Sequence, residues 1–229
     1  MQPLHAVLFD MDGTLVETEH HWGEAMFALA ARLGGTMSAA AREQTVGTSM
    51  RTAMQVLYAD LGLRRSEAQL VADGRWVEER TAELMAREGI SWRPGACELV
   101  VAVRAAGLAT ALVTTTPRPV AALVLDRIAE ELGGSPFDVT VCGDEAGVRK
   151  PDPAPYRKAM AELGVSPAGC LVVEDSAVGV AAGLAAEVAV LAVPSLQPLQ
   201  PVAGLVLRPT LAGLTVADLA ELVDARSRS

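Results

Sequence analysis

Two aspartates one residue apart, Asp10 and Asp12, follow a short apolar run, Ala6-Val7-Leu8-Phe9, and precede Gly13-Thr14. Other polar groups stand in the same relation to later apolar runs. Thr114-Thr115-Thr116 follows the run 110–113, and Glu174-Asp175-Ser176 follows the run 170–173. Lys150, within Arg149-Lys150-Pro151-Asp152-Pro153, comes a few residues after the run 139–142. Each group alone has an ordinary explanation: a turn, local capping, a solvated lysine, acids complementing a helix dipole. Those explanations do not account for four such groups at equivalent ends of successive apolar runs.

Together these residue types suit phosphoryl transfer. That reaction needs an in-line nucleophile, positive charge on the equatorial oxygens and a proton donor for the leaving group. Asp10 can act as a carboxylate nucleophile. Asp12, two residues on, projects to the same side in extended backbone and can reach the leaving oxygen. Thr114 and the amide of Thr115 can hydrogen-bond phosphate oxygens. Lys150 brings fixed positive charge, and Asp175 is a hard oxygen donor suited to Mg²⁺.

The elements that must position these groups can be read from the intervals. Five short β-like runs, 6–9, 110–113, 139–142, 170–173 and 188–193, are joined by amphipathic or Ala-rich segments at 96–106, 120–132, 154–163 and 177–186. That alternation predicts βα units, an α/β fold and a parallel sheet, with ligands at the carboxyl ends of the strands. A further run at 205–207 and a helix near 216–223 are placed to close the sheet edge. From Glu17 to about Arg93 only helical signals occur. Trp22, Met26, Leu29 and Leu33 share one helical face, and Val46, Met50, Met54, Leu57 and Leu61 form a second stripe. Ser66 with Gln69 reads as a capping box opening a third helix that carries Val77, Leu84 and Met85. Pro94-Gly95 marks the return to the core. The spacing therefore predicts a helical insert over 17–93 and a core of 1–16 with 94–229.

Composition narrows the partners. The chain has 229 residues, 51% hydrophobic and 21% charged, as in a globular protein. Its net charge of −9 and its only two lysines, Lys150 and Lys158, argue against nucleic acid, whose phosphates require basic residues. The longest apolar stretch, 177–193, is interrupted by Gly179, Gly183 and Glu187, so no membrane span is expected. No signal peptide is expected, because the first residues run straight into the strand-like 6–9, and Cys97, Cys142 and Cys170 are odd in number and far apart. The expectation is a cytoplasmic protein with reduced cysteines, a monomer by default. His5 lies at the start of the first strand, the wrong end for catalysis, and His20 and His21 show no ligand spacing joined to the motifs.

The constellation DMDGT at 10–14, the threonines ending LVTTT at 112–116, Lys150 in RKPDP and EDS at 174–176 resembles the haloacid dehalogenase-like superfamily, over essentially the whole chain. The resemblance implies a Rossmann-like core with an inserted α-helical cap and Mg²⁺ as cofactor. By position it implies Asp10 as nucleophile, Asp12 as general acid and base, and Thr114, Thr115 and Lys150 on the phosphoryl group. It implies a metal held by Asp10, the Asp12 carbonyl and Asp175, with Glu174 as a further or outer contributor. Asp at position 12 points to phosphate chemistry and away from dehalogenation.

Three functions compete. A phosphatase of a small phosphorylated metabolite is favoured, and Glu17-Thr18-Glu19-His20-His21-Trp22 is similar to the hexose-phosphate phosphatases of the group. The β-phosphoglucomutase-like isomerases tend to have His where Trp22 stands, and an Arg directly after Gly-x-Ser. Here Gly47-Thr48-Ser49 is followed by Met50, and Arg51 comes one residue late. A non-catalytic phospho-ligand binder would be expected to have lost Asp10, Asp12 or Lys150. Arg51 is the cap residue singled out for contact with the substrate.

Overall fold

A computed structural model describes residues 3–227 apart from residue 144. Six strands, β1 (Ala6–Phe9), β2 (Ala109–Val113), β3 (Val139–Val141), β4 (Cys170–Glu174), β5 (Ala189–Ala192) and β6 (Leu205–Leu207), form one sheet in the order β3-β2-β1-β4-β5-β6. All pairings are parallel. The continuous apolar runs follow from this arrangement, because helices cover both faces of a parallel sheet. Alternate side chains serve the two sides. Val7 and Phe9 of β1 enter a cluster with Leu99, Val124 and Val223, while Ala6 and Leu8 enter another with Tyr156, Met160 and Val180. Full burial of a side chain such as Leu8 or Phe9 contributes about 1.5–3 kcal/mol.

The first cluster is built from α5 (Ala96–Ala105), α6 (Arg118–Leu132) and α9 (Val216–Ser227); the second uses α7 (Ala154–Leu163) and α8 (Ala177–Ala185). The strand order reverses between β1 and β4, and a crevice at such a switch point is where ligands bind in open α/β sheets. Phe9 stands level with Val173, and the Asp10 amide donates to the Val173 carbonyl at 3.0 Å. Asp10 is thereby set beside Glu174 and Asp175.

Between β1 and α5 come four helices, α1 (Glu19–Arg32), α2 (Ala39–Thr45), α3 (Met50–Asp60) and α4 (Glu67–Glu88). They share a separate apolar cluster that includes Met26, Leu29, Met54, Leu57, Val77 and Leu84. The capping box is present: Ser66 accepts from the Gln69 amide, and the Gln69 side chain accepts from the Ser66 amide. The stripe from Val46 to Leu61 is not one helix. Gly47 at φ +68° breaks the chain, and Ser49 caps a new helix by accepting from the Thr52 amide. α2 lies before the break and had no apolar signature, since only Ala41 and Thr45 of its seven residues are buried. The insert is tied to the core by two adjacent connections. The Glu17 amide donates to the Ser91 carbonyl at 2.9 Å and the Arg93 amide to the Leu15 carbonyl at 2.8 Å, beside a Glu17–Arg93 ion pair at 2.7 Å.

Candidate active site

The exit from β1 is a tight turn. The Met11 carbonyl accepts from the amides of Thr14, Leu15 and Val16. Gly13 sits at φ +75°, and a Cβ there would stand 2.3 Å from Asp175 Oδ2, so only glycine fits between the two acid loops. Asp10 is buried. Its Oδ1 accepts from Lys150 Nζ at 2.7 Å and its Oδ2 from Thr14 Oγ1 at 3.0 Å. Lys150 Nζ also donates to Glu174 Oε1 at 2.7 Å and to the Val113 carbonyl at 2.8 Å, which fixes all three of its protons.

Glu174, fully buried, is an organising group. Its Oε1 accepts from Lys150 and from Tyr156 Oη, the latter at 2.7 Å, and its Oε2 accepts from the amides of Asp175 and Ser176 and from Ser176 Oγ. To ligate a cation directly it would release one of these donors. Asp175 accepts from Thr14 Oγ1 at 3.3 Å and from Ser195 Oγ.

Three buried carboxylates against one buried ammonium leave excess negative charge. Burial, then Glu174, push the Asp10 carboxyl up to about 7 against the pull of Lys150. Burial, Asp10 and Glu174 hold Asp175 well above the usual carboxylate range. Burial works against the Lys150 ammonium, but Asp10 and Glu174 outweigh it and hold its pKa at about 12. Carboxylate oxygens of Asp10, Glu174 and Asp175 lie within 4.8 Å of one another. A hard divalent cation fits this donor set and charge deficit, and Mg²⁺ takes such oxygens.

Asp12 is partly buried and opens on the same cleft as Asp10, as the alternation at the strand end predicts. Its Oδ1 accepts from Thr18 Oγ1 and from Trp22 Nε1 at 3.3 Å. Its Oδ2 accepts from Thr116 Oγ1 at 2.7 Å and Thr114 Oγ1 at 3.3 Å. The two bonds to Oδ1 come from the insert and the two to Oδ2 from the loop after β2, so Asp12 bridges both parts. Thr115, Thr116, Arg149, Lys150 and Asp175 line the cleft with the two aspartates.

One sequence expectation, the contact of Arg51 with the cleft, differs from the structure. Thr114 is buried beside the cleft, next to Asp12. Its hydroxyl, buried, donates to Asp12 and accepts from the Thr116 amide at 3.0 Å, so it shapes the loop that presents Thr115 and Thr116. Arg51 is exposed and pairs with Glu67, with Nη1 to Oε2 at 3.0 Å, outside the cleft. The Ser49 cap sets the phase of α3: Met50 faces the cleft, and Arg51, about 100° further round, faces the start of α4. The insert's charged contribution to the cleft is Glu19 with Arg42. Arg42 Nη2 donates to the Glu19 carbonyl at 2.7 Å and to Glu19 Oε2 at 2.8 Å, and Nη1 donates to Thr45 Oγ1 at 3.1 Å. Burial raises the Glu19 carboxyl, and Arg42 opposes it. Arg42 gave no sequence signal because α2 gave none. Ser195 could have been found by reading beyond the fifth apolar run as well as the first four. The insert meets the core across the cleft where a Cβ on Gly47 would stand 2.9 Å from Ser176 Cβ.

A six-stranded parallel sheet with this order, carrying an acid-and-lysine cluster at its switch point, together with the family and the phosphatase-named relatives it matches, makes the chain a phosphomonoester hydrolase. The family model "haloacid dehalogenase-like hydrolase" matches residues 4–187, and the chain belongs to that family. It is 32% identical over 197 residues to Protein CbbY of Rhodobacter capsulatus, covering 84% of this chain and 86% of that one. It is 33% identical over 191 residues to hexitol phosphatase A of Escherichia coli, covering 81% of each. The structure of CbbY from Rhodobacter sphaeroides in complex with xylulose-(1,5)bisphosphate is similar at a TM-score of 0.82 and 29% identity, over 94% of this chain and 99% of that one. Among the described residues no helix is long and apolar enough to cross a membrane.

Proposed function

We propose that the chain hydrolyses a small sugar phosphate through an aspartyl-phosphate on Asp10, with Mg²⁺ as cofactor. The observation that carries this reading is Asp10 pinned between Lys150 and Thr14, with Asp12 opening on the same cleft. An Asp10 oxygen attacks phosphorus while Asp12 gives its proton to the departing sugar oxygen. Asp12 then takes a proton from the water that attacks the phosphoryl group, which frees Asp10 and releases inorganic phosphate. Three of the four partners of Asp12 are hydroxyls, which can turn to accept when it carries a proton. The Thr114 hydroxyl, the Thr115 amide and Lys150, which would release one of its present acceptors, meet the equatorial oxygens. Asp10, the Asp12 carbonyl and Asp175 would hold Mg²⁺, with Glu174 beside them. The ion supplies positive charge that screens Asp10 from the phosphate. Residues 17–93 act as a cap on a core of 1–16 and 94–229, hinged at the paired connections, in a monomer. The free cysteines fit a cytoplasmic setting.

The test is a panel of phosphorylated metabolites assayed for both inorganic phosphate and isomerised sugar. Phosphate release from a sugar or polyol phosphate is expected, lost in EDTA and restored by Mg²⁺, with Ca²⁺ a poor substitute because it takes longer bonds and more ligands. Full turnover in metal-free buffer would sink the role given to Asp175. Isomerised product without phosphate would make the chain a mutase.

Arg42 is the cap side chain expected to read the sugar. It keeps guanidinium protons beyond those given to Glu19 and Thr45. Arg42→Ala should lower kcat/KM on the best metabolite about tenfold or more, the worth of a charge-assisted hydrogen bond. It should change hydrolysis of para-nitrophenyl phosphate little, and Arg51→Ala should change neither. Equal losses on both substrates for Arg42→Ala would indicate damage to folding, which a thermal melt would reveal.

A further inference from the structure

The reaction uses none of the three histidines, yet two of them occupy a structured place. His20 and His21 open α1 with ring centroids 3.7 Å apart. His21 is fully buried, and neither of its ring nitrogens has a hydrogen-bond partner. Its Nε2 is 3.6 Å from Glu88 Oε2, beyond hydrogen-bond reach. An unsatisfied buried polar atom is costly, and native proteins seldom keep two on one ring without a use. Ligand atoms of His20, His21 and Glu88 all lie within 4.8 Å of one another.

We propose that His20, His21 and Glu88 bind a divalent transition metal of the Zn²⁺ class, at a site separate from the Mg²⁺ cluster. Two imidazoles and a carboxylate suit Zn²⁺, Co²⁺, Ni²⁺ or Cu²⁺, whereas Mg²⁺ prefers all-oxygen sites. Burial and the neighbouring His20 ring push the His21 pKa below its ordinary value, which keeps its lone pair free. Tetrahedral Zn²⁺ at its usual bond lengths spaces its ligands about 3.3 Å apart. The cluster must therefore close by about an ångström or somewhat more, which exposed His20 and exposed Glu88 can supply. A water would complete the coordination. The metal would join the first turn of α1 to the last residue of α4, next to the connections that hinge the insert. Thr18 and Trp22, which hold Asp12, flank the two histidines, so occupancy would stiffen the cap where it grips the proton donor.

Calorimetric titration of the whole chain with Zn²⁺, and absorption spectra with Co²⁺, should be run in millimolar Mg²⁺ that fills the carboxylate cluster. One equivalent is expected, with nitrogen ligation visible in the Co²⁺ spectrum and a Zn²⁺-dependent rise in Tm. His20→Ala and Glu88→Gln, both solvent-facing changes that leave the fold intact, should weaken binding at least about tenfold. His5→Ala should bind as wild type. Wild-type affinity in His20→Ala and Glu88→Gln, binding abolished by Cys97→Ser instead, or no uptake of Zn²⁺ in the presence of Mg²⁺ would each overturn the proposal.

Discussion

Asp10→Asn is expected to lower kcat by at least about three orders of magnitude, roughly 4 kcal/mol of transition-state stabilisation. The amide is not nucleophilic enough to form the acyl-phosphate, and nothing nearby can replace it. Glu174 has both oxygens occupied by Lys150, Tyr156 and the loop amides, and Asp175 is held by Thr14 and Ser195. The fold should survive. The asparagine oxygen can still accept from Lys150, and its amide can donate to Thr14. Removing one of three buried carboxylates also relieves repulsion, so the metal-free variant should melt at or above the wild-type temperature. Steady-state assays beside thermal melts check both halves. A variant retaining a tenth of wild-type turnover would mean that the nucleophile lies elsewhere. Lost activity with a collapsed melt would leave a folding defect as the cause.

The core was legible because its signals are local and repeated. The six strands fall within about a residue of the apolar runs, and the polar clusters follow those runs because parallel strands carry every loop of one polarity to the same rim. Asp10, Asp12, Lys150, Glu174 and Asp175 could therefore be named from position alone. The cap was legible only as a helical insert. Its finer geometry turns on caps and breaks: Gly47 and Ser49 separate Val46 from the rest of the stripe and start α3 at Met50, which turns Arg51 away from the cleft while Arg42 of α2 faces it. A helix with two buried residues leaves almost no periodicity to read. Tyr156 was hidden for another reason. It reads as one more apolar position of α7, and only the tertiary fold shows its hydroxyl on Glu174. Thr114 poses a similar question, since a hydroxyl at a strand end can serve a ligand, its own loop or, as here, a neighbouring carboxylate, Asp12.

The two lysines make a second, sharper comparison, because one chain supplies a buried and a half-exposed example of the same side chain. Lys158 is half-exposed on α7 and pairs with Glu162 one turn on, an interaction worth at most about 0.5 kcal/mol. Lys158→Ala should leave Tm and kcat/KM essentially unchanged. Lys150 is 5% exposed, donates to Asp10, Glu174 and the Val113 carbonyl, and lies 4.8 Å from the centre of the Tyr156 ring. Lys150→Ala removes the ammonium that sits among three buried acids. Leaving buried carboxylates without their partner costs about 3–5 kcal/mol, so the metal-free variant should melt far below wild type. Mg²⁺ should recover part of that loss by restoring positive charge to the same cluster. Turnover should remain depressed by about two orders of magnitude or more even when Mg²⁺ has restored the fold, if, as proposed, Lys150 also serves the phosphoryl oxygens. Melts and kinetics across a Mg²⁺ titration separate the two effects. If full activity returns with the fold, Lys150 serves only to neutralise the acids; if Lys150→Ala behaves like Lys158→Ala, the buried triad of Lys150, Asp10 and Glu174 has no part in either stability or catalysis.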